Sequence, residues 1–212
     1  LIKSNFLEYG SVKNNEVVLK ECKKIYPILF ISEFREFKES KHFHAQKIAL
    51  KYLKTFCEKK NVKPQIALNT IRADKRKYFR KIYKFKDEIK FYNNNLQNYN
   101  FNNNSSYKTA SESNLIICLS SNLGIELLSR GFKVLFLNIL GEKDQNWTYP
   151  YFLKEIPPFF VNKINSKEVI AKMDFFYNLG ENDWKNILNE TNTKIFFDNQ
   201  NSFLKKKIYS IA

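Results

Sequence analysis

The chain has 212 residues, 43% of them hydrophobic and 16% aromatic, enough for one sizeable core with a small appendage. No apolar run reaches the ~18 residues that a membrane-crossing helix needs, and no basic-then-apolar leader opens the sequence. The formal net charge of +15, mostly lysine, fits either an anionic partner or the bias of an AT-rich genome, in which Lys, Asn, Ile, Phe and Tyr abound while Gly and Pro are scarce.

The opening text, LIKSNFLEYGSVKNNEV, is polar and loop-like and does not begin with Met, so it is expected to lead in from a missing N-terminal part. YPILFIS (residues 26–32) is a short apolar run and predicts a buried strand. A polar loop, EFREFKESKHF, follows it. In HAQKIALKYLKTFCEKK, Ala45, Ile48, Ala49, Tyr52, Leu53 and Phe56 recur at helical spacing between lysines, predicting an amphipathic helix that NVKP ends. QIALN (65–69) predicts a second strand, ADKRKYFRKIYKF a helix with Phe79, Ile82 and Tyr83 inward, and EIKFY (88–92) a third strand.

NNNLQNYNFNNNSS is low in complexity and predicts a surface loop. SYKTASES predicts a short helix, NLIICLS (114–120) a strand, NLGIELLSR a helix closed by Gly131, and KVLFLN another strand. A long loop with three prolines follows, then a short strand at FFVN. Ser166 is expected to cap a helix holding Val169, Ile170 and Met173. ENDWKNILNE predicts a further helix, with Trp184 packed in the helix pair, and the tail one more that returns to the body.

Strands that alternate with helices and are apolar throughout specify a parallel sheet covered on both faces, a doubly wound α/β domain. Ligands of such sheets bind beyond the carboxyl ends of the strands. The ends of interest are residues 32–35, 69–72, 120–124 and 138–141.

The third of these lies in CLSSNLGIELLSRGFKVLFLN (118–138). The first backbone N–H groups of a helix are unpaired and carry the positive end of its dipole, so small residues there admit an anion. Ser120, Ser121 and Asn122 offer polar groups, Gly124 keeps the first turn open, and Glu126 stands one turn on, able to accept from ribose hydroxyls. A plainer reading stays open: Ser121 or Asn122 only caps the helix, and Gly124 only lets it approach the sheet. There is no GxGxxG and no P-loop.

SSNLGIELLSRGFKVLF resembles the donor-side turn and helix of GT-B glycosyltransferases, in which a small-residue turn is followed by a Glu and then by Gly-x-x-Val. Glu126, Gly131 and Val134 fit that spacing, whereas Lys133 stands where many members have Pro. GSVKNNEV, ILFISEFRE, QIALNTIRADKRKYF, SYKTASESNLIICLSSNLGIELLSRGFKVLF and DWKNIL together look like the C-terminal half of bacterial surface-carbohydrate (lipopolysaccharide or capsule) biosynthesis proteins. The resemblance spans most of the chain and is most specific over residues 106–136.

It implies a Rossmann-like parallel sheet with helices on both faces, forming one GT-B half-domain that takes a nucleotide sugar as substrate and needs no further cofactor. Residues 1–24 would then be the interdomain linker and domain start, 25–195 the nucleotide-sugar-binding domain and 196–212 a tail helix. By the family pattern Ser120, Ser121, Asn122, Leu123 and Gly124 would sit on the diphosphate and Glu126 on the ribose. Arg72, and Arg35 after the first strand, would neutralise leaving-group phosphate, a fixed cation where charge develops. The catalytic base and the glycan or lipid-linked acceptor site would belong to a missing N-terminal Rossmann-like domain. Such a protein works in the cytoplasm, with peripheral contact at the inner face of the membrane.

His42 and His44 form an isolated His-x-His without further ligands, so no metal site is expected. The absence of Asp-x-Asp at a strand end disfavours a metal-dependent GT-A enzyme. Trp147 and Tyr149 are candidates to stack on a base or sugar. Cys22, Cys57 and Cys118 form no CxxC pair and suit a reducing compartment. Two other classes remain: a sugar-nucleotide epimerase of the same architecture, whose usual Ser-Gly-Gly is here Ser-Ser-Asn, and a basic domain binding nucleic acid or membrane. Nucleic acid is disfavoured because buried strands leave no sheet face for stacking.

Overall fold

A computed structural model describes residues 11–19, 22–35, 40–69, 85–101, 105–139, 157–162, 165–191 and 197–210. Six strands are described: β1 (Tyr26–Ile31), β2 (Gln65–Ala67), β3 (Asn100–Phe101), β4 (Ser113–Cys118), β5 (Val134–Leu137) and β6 (Phe160–Val161). All pair in parallel, in the order β3-β2-β1-β4-β5-β6. Successive residues Ile28, Leu29 and Phe30 of β1 are fully buried, as are Leu115, Ile117 and Cys118 of β4 and Val134, Leu135 and Phe136 of β5. Side chains on both faces are therefore covered, as continuously apolar strands require.

The helices are α1 (Val12–Glu16), α2 (Lys41–Lys60), α3 (Phe85–Asn95), α4 (Ser106–Ser111), α5 (Asn122–Ser129), α6 (Ser166–Asn178), α7 (Glu181–Glu190) and α8 (Ser202–Tyr209). From β1 the chain steps one way to β2 and from β4 the other way to β5, so right-handed crossovers put α2 and α5 on opposite faces. α2 packs with α3 and with α6, where Phe56 meets Tyr177 edge-on. On the other side α5 is joined to α4 and α1 by side-chain hydrogen bonds. The expected Rossmann-like sheet is thus present.

Local signals account for the element ends. The Ser40 hydroxyl accepts from the Phe43 N–H at the start of α2, and Asn61 closes that helix in the left-handed region at φ 53°. Gly131 (φ 85°) ends α5: its N–H bonds Leu128 O, and the Phe132 N–H reaches back to Leu127 O. Trp184 is buried against Phe176 and Phe159, with its indole N–H on Gly131 O at 2.7 Å.

Four expectations are corrected. EIKFY is not a strand but the middle of α3. Glu88, Phe91 and Tyr92 are its buried residues, an i, i+3, i+4 spacing, and Asp87 and Glu88 suit a helix first turn. The asparagine-rich stretch is not all loop: residues 93–95 finish α3, and Asn100–Phe101 form the edge strand β3 beside Gln65 and Ile66. The cap of α6 is Asn165, whose Oδ1 accepts from the Lys167 N–H at 3.0 Å, and not Ser166. The tail does form a helix, but no residue of α8 is buried; contact with the body runs through the preceding 3-10 turn, Asn199–Asn201. The helix read at 73–85 lies outside the described residues apart from its last residue, as do Arg72, Trp147 and Tyr149.

Cys57 and Cys118 are buried and Cys22 is exposed. Burial pushes the Cys57 thiol up to about 12 and raises Cys118 as well. Native protein in mildly alkaline iodoacetamide is expected to be alkylated at Cys22 alone, and at all three thiols once denatured. Mass spectrometry that finds Cys57 or Cys118 labelled in folded protein would contradict this packing. The folded pKa of Cys57 lies above its ordinary 9.0, so the proton it retains supports folding fully below about 9, and that support is lost as pH rises towards 12.

Candidate functional site

The strand order reverses between β1 and β4, so the crevice beyond their carboxyl ends is the topological switch point, where open α/β sheets bind ligands. Two segments meet there: residues 32–35 after β1, and residues 119–124 running from β4 into α5.

Glu33 joins them. Its Oε1 accepts from the backbone N–H groups of Leu119 (3.0 Å) and Ser120 (2.7 Å), and its Oε2 from the Ser120 hydroxyl (2.8 Å). A carboxylate of the chain itself therefore stands at the mouth of the turn, where small residues suggested an anion. Sequence reasoning passed over Glu33 because it lies in a polar loop 87 residues from Ser120. The only available signal was its place two residues past the end of β1.

The segment around Glu33 is held from below. Ser32 donates to Glu88 Oε1 at 2.5 Å, and the same oxygen accepts from the Asn69 N–H (2.9 Å) at the end of β2. The Asn69 side-chain amide bonds Phe34 O (3.3 Å), and Phe34 packs on Phe91 with ring centroids 5.2 Å apart. Gln46 donates to the Tyr92 hydroxyl at 2.7 Å; burial, then the nearby Glu88, raises the Tyr92 phenol. Glu88 is fully buried, so this polar network has no solvent to fall back on and fixes the loop that carries Glu33. Arg35, two residues further on, is exposed.

On the α5 side, Ser121 occupies the N-cap position, but its side chain makes no capping hydrogen bond. Its N–H is directed to the Cys118 sulfur. Gly124 is buried, and a Cβ built there would stand 2.5 Å from Cys118 Sγ and 3.0 Å from a Phe136 ring carbon. The glycine thus lets the first turn of α5 lie directly on β4 and β5, the packing role of the plainer reading.

Glu126, four residues past Asn122 and so on the same helix face, is turned towards α1 and α4. Its Oε1 accepts from the Ser11 hydroxyl (3.0 Å) and its Oε2 from the Tyr107 hydroxyl. Burial and then the Glu126 hydrogen bond raise the Tyr107 phenol, which keeps its proton and remains the donor. Next to this pair, Arg130 donates to Asn14 Oδ1 (2.6 Å), Asn14 O and Val17 O (2.7 Å) and lies 4.3 Å over the Phe197 ring. Asn14 in turn bonds Glu126 O and the Ser129 hydroxyl. Residues 11–17 are thus tied along α5, an arrangement that sequence reasoning did not foresee.

Lys133, where the resembled family often has Pro, is buried, and burial lowers its pKa; its ammonium donates to Leu179 O at 2.7 Å. The departure from the pattern thereby anchors the start of β5 to the chain after α6. Of the predicted site residues, the structure brings 120–124 together at the switch point and sets Arg35 on the facing segment. Glu126 lies one turn along, with partners of its own. Among the described residues there is no group of three or more His, Cys, Asp or Glu suited to a metal, and no helix long and apolar enough to cross a membrane.

A family model described as "putative O-antigen biosynthesis protein" matches residues 1–209. No curated protein matches the chain.

Proposed function

The chain belongs to this family of O-antigen biosynthesis proteins, and on that premise we propose that it is the donor-binding half of a GT-B-type glycosyltransferase. It transfers a sugar from a nucleotide carrier to a glycan or lipid-linked acceptor. The observation that supports this reading is the position of the 119–124 turn at the switch point of a 3-2-1-4-5-6 parallel sheet.

In the proposed complex the diphosphate lies at the start of α5, on the Ser121 hydroxyl and the first-turn N–H groups of Asn122, Leu123 and Gly124. Ser120 is engaged by Glu33, so it shapes the turn and meets the phosphates only if that carboxylate moves. Glu126 accepts from the ribose, exchanging or sharing the Ser11 hydroxyl. Arg35 and Arg72 stabilise the charge on the departing nucleoside diphosphate. That group leaves with the electron pair of the broken anomeric C–O bond. The acceptor hydroxyl forms the new bond and gives its proton to a base on a preceding domain.

Calorimetric titration of the complete protein with UDP-, GDP- and CMP-linked sugars tests this. One of them is expected to bind, and Ser121→Ala to weaken it roughly 10- to 150-fold, the loss of one hydrogen bond to a charged group. A folded complete protein with no affinity for any nucleotide or nucleotide sugar would refute the proposal.

A further inference from the structure

The last described helix, α8, has the sequence SFLKKKIY and buries none of its residues. Its large apolar side chains stand in solvent: Phe203 is 45% exposed, Ile208 56% and Tyr209 78%. At about 100° per residue, Phe203, Leu204 and Ile208 fall within an arc of roughly 140°. Lys207 lies within that arc and Lys205 and Lys206 flank it. The helix starts at Asn201, whose side chain bonds Val12 O and the Asn15 amide. That contact brings Val12, 41% exposed, and the exposed Lys13 to the start of the same surface.

We infer that α8, with this edge of α1, is a docking surface for an anionic phospholipid membrane. An exposed apolar stripe that the described residues of the body leave uncovered needs an apolar environment, and the three consecutive lysines within and beside it need an anionic one. An anionic bilayer interface supplies both at once. The apolar side chains enter the headgroup boundary, the lysine stems lie along them, and the ammonium groups reach phosphate. Tyr209 falls about 100° beyond Ile208 on the helix, outside this arc, and is not part of the docking stripe. A second copy of the chain fits less well, because the lysine triplets of two +15 molecules would face one another. The inference stands on α8 itself and is independent of the donor reading.

The test is flotation of the complete protein with phosphatidylcholine vesicles, with and without phosphatidylglycerol. Partition is expected only with the anionic vesicles and is expected to fall as salt rises. Replacing Lys205, Lys206 and Lys207 together with Gln is expected to reduce it on the order of 100-fold. Phe203→Ser with Ile208→Ser is expected to reduce it roughly tenfold or more. The same charge removed from the exposed face of α2 (Lys47, Lys51 and Lys59→Gln) is expected to have far less effect. Since α8 buries nothing, circular dichroism is expected to show every variant folded. The inference fails if the protein stays off anionic vesicles, if it binds zwitterionic vesicles equally, or if the α2 variant loses as much as the α8 variant. It also fails if sedimentation shows a dimer that Ile208→Ser dissociates, or if an acidic protein displaces the vesicles.

Discussion

Replacing Gly124 with alanine is expected to lower the stability of the fold by about 1–3 kcal/mol, the usual effect of forcing a methyl group into a filled core. For a chain of this size that is a drop of roughly 2–12 °C in Tm. The new Cβ would stand 2.5 Å from Cys118 Sγ and 3.0 Å from the Phe136 ring, and both are held in the central strands. Neither neighbour is a flexible surface side chain that can swing away. The cause can be isolated by adding Cys118→Ala, which removes the closer obstacle. Thermal unfolding is expected to show the double variant less destabilised than the sum of the two single variants. Strict additivity would mean that the strain lies elsewhere. Gly131, by contrast, has open space around its missing side chain; its glycine is required by φ 85°, so the same substitution there acts through the backbone.

Glu33→Ala is the second large effect. The substitution leaves the Leu119 and Ser120 N–H groups without their acceptor at a partly buried turn, and a loss of about 2–4 kcal/mol is expected. Glu33→Gln keeps one acceptor oxygen for the two N–H groups and is expected to be milder, below about 1.5 kcal/mol. The vacated donors also make a chemical prediction. Sulfate should occupy them in Glu33→Ala and restore part of the lost Tm, beyond the effect of sodium chloride at equal ionic strength. The measurement is the difference between the sulfate shifts of variant and parent. Equal shifts would show that the turn does not hold an anion once its carboxylate is gone.

How far the sequence carries varies along the chain, for physical reasons. β1, β4 and β5 were readable because strands covered on both faces must be apolar at every residue, and such runs are scarce here. α5 was readable in full because Gly131 is a local stop. EIKFY misled because Ile, Phe and Tyr favour strands, whereas the decisive fact is that Glu88 is buried. A buried carboxylate is legible only through its partners, Ser32 and Asn69, and both lie on other elements. Glu33 was lost for the same reason. The position of the candidate turn followed from the pattern of elements, but its occupancy did not, since a contact across the switch point leaves no local trace. Glu126 shows the same limit: one turn past the start of α5 is a sequence fact, and the Ser11 and Tyr107 hydroxyls on its carboxylate are not.

The strand order has a consequence for how the protein is made. β1 pairs with β4, Tyr26 opposite Ser113, so the centre of the sheet joins segments synthesised far apart. At about 5–20 residues per second, the ribosome releases β1 on the order of 4–17 seconds before its main partner exists. Once β2 has followed, YPILF has that short strand on one edge, and among the described residues its other edge has no strand partner until β4 is made. That edge of the sheet waits for β4, after which β5 and β6 add outward in turn. The same ordering that opens a crevice in the finished molecule therefore leaves one edge of β1 unpaired while the chain is being made, the kind of edge that invites mispairing.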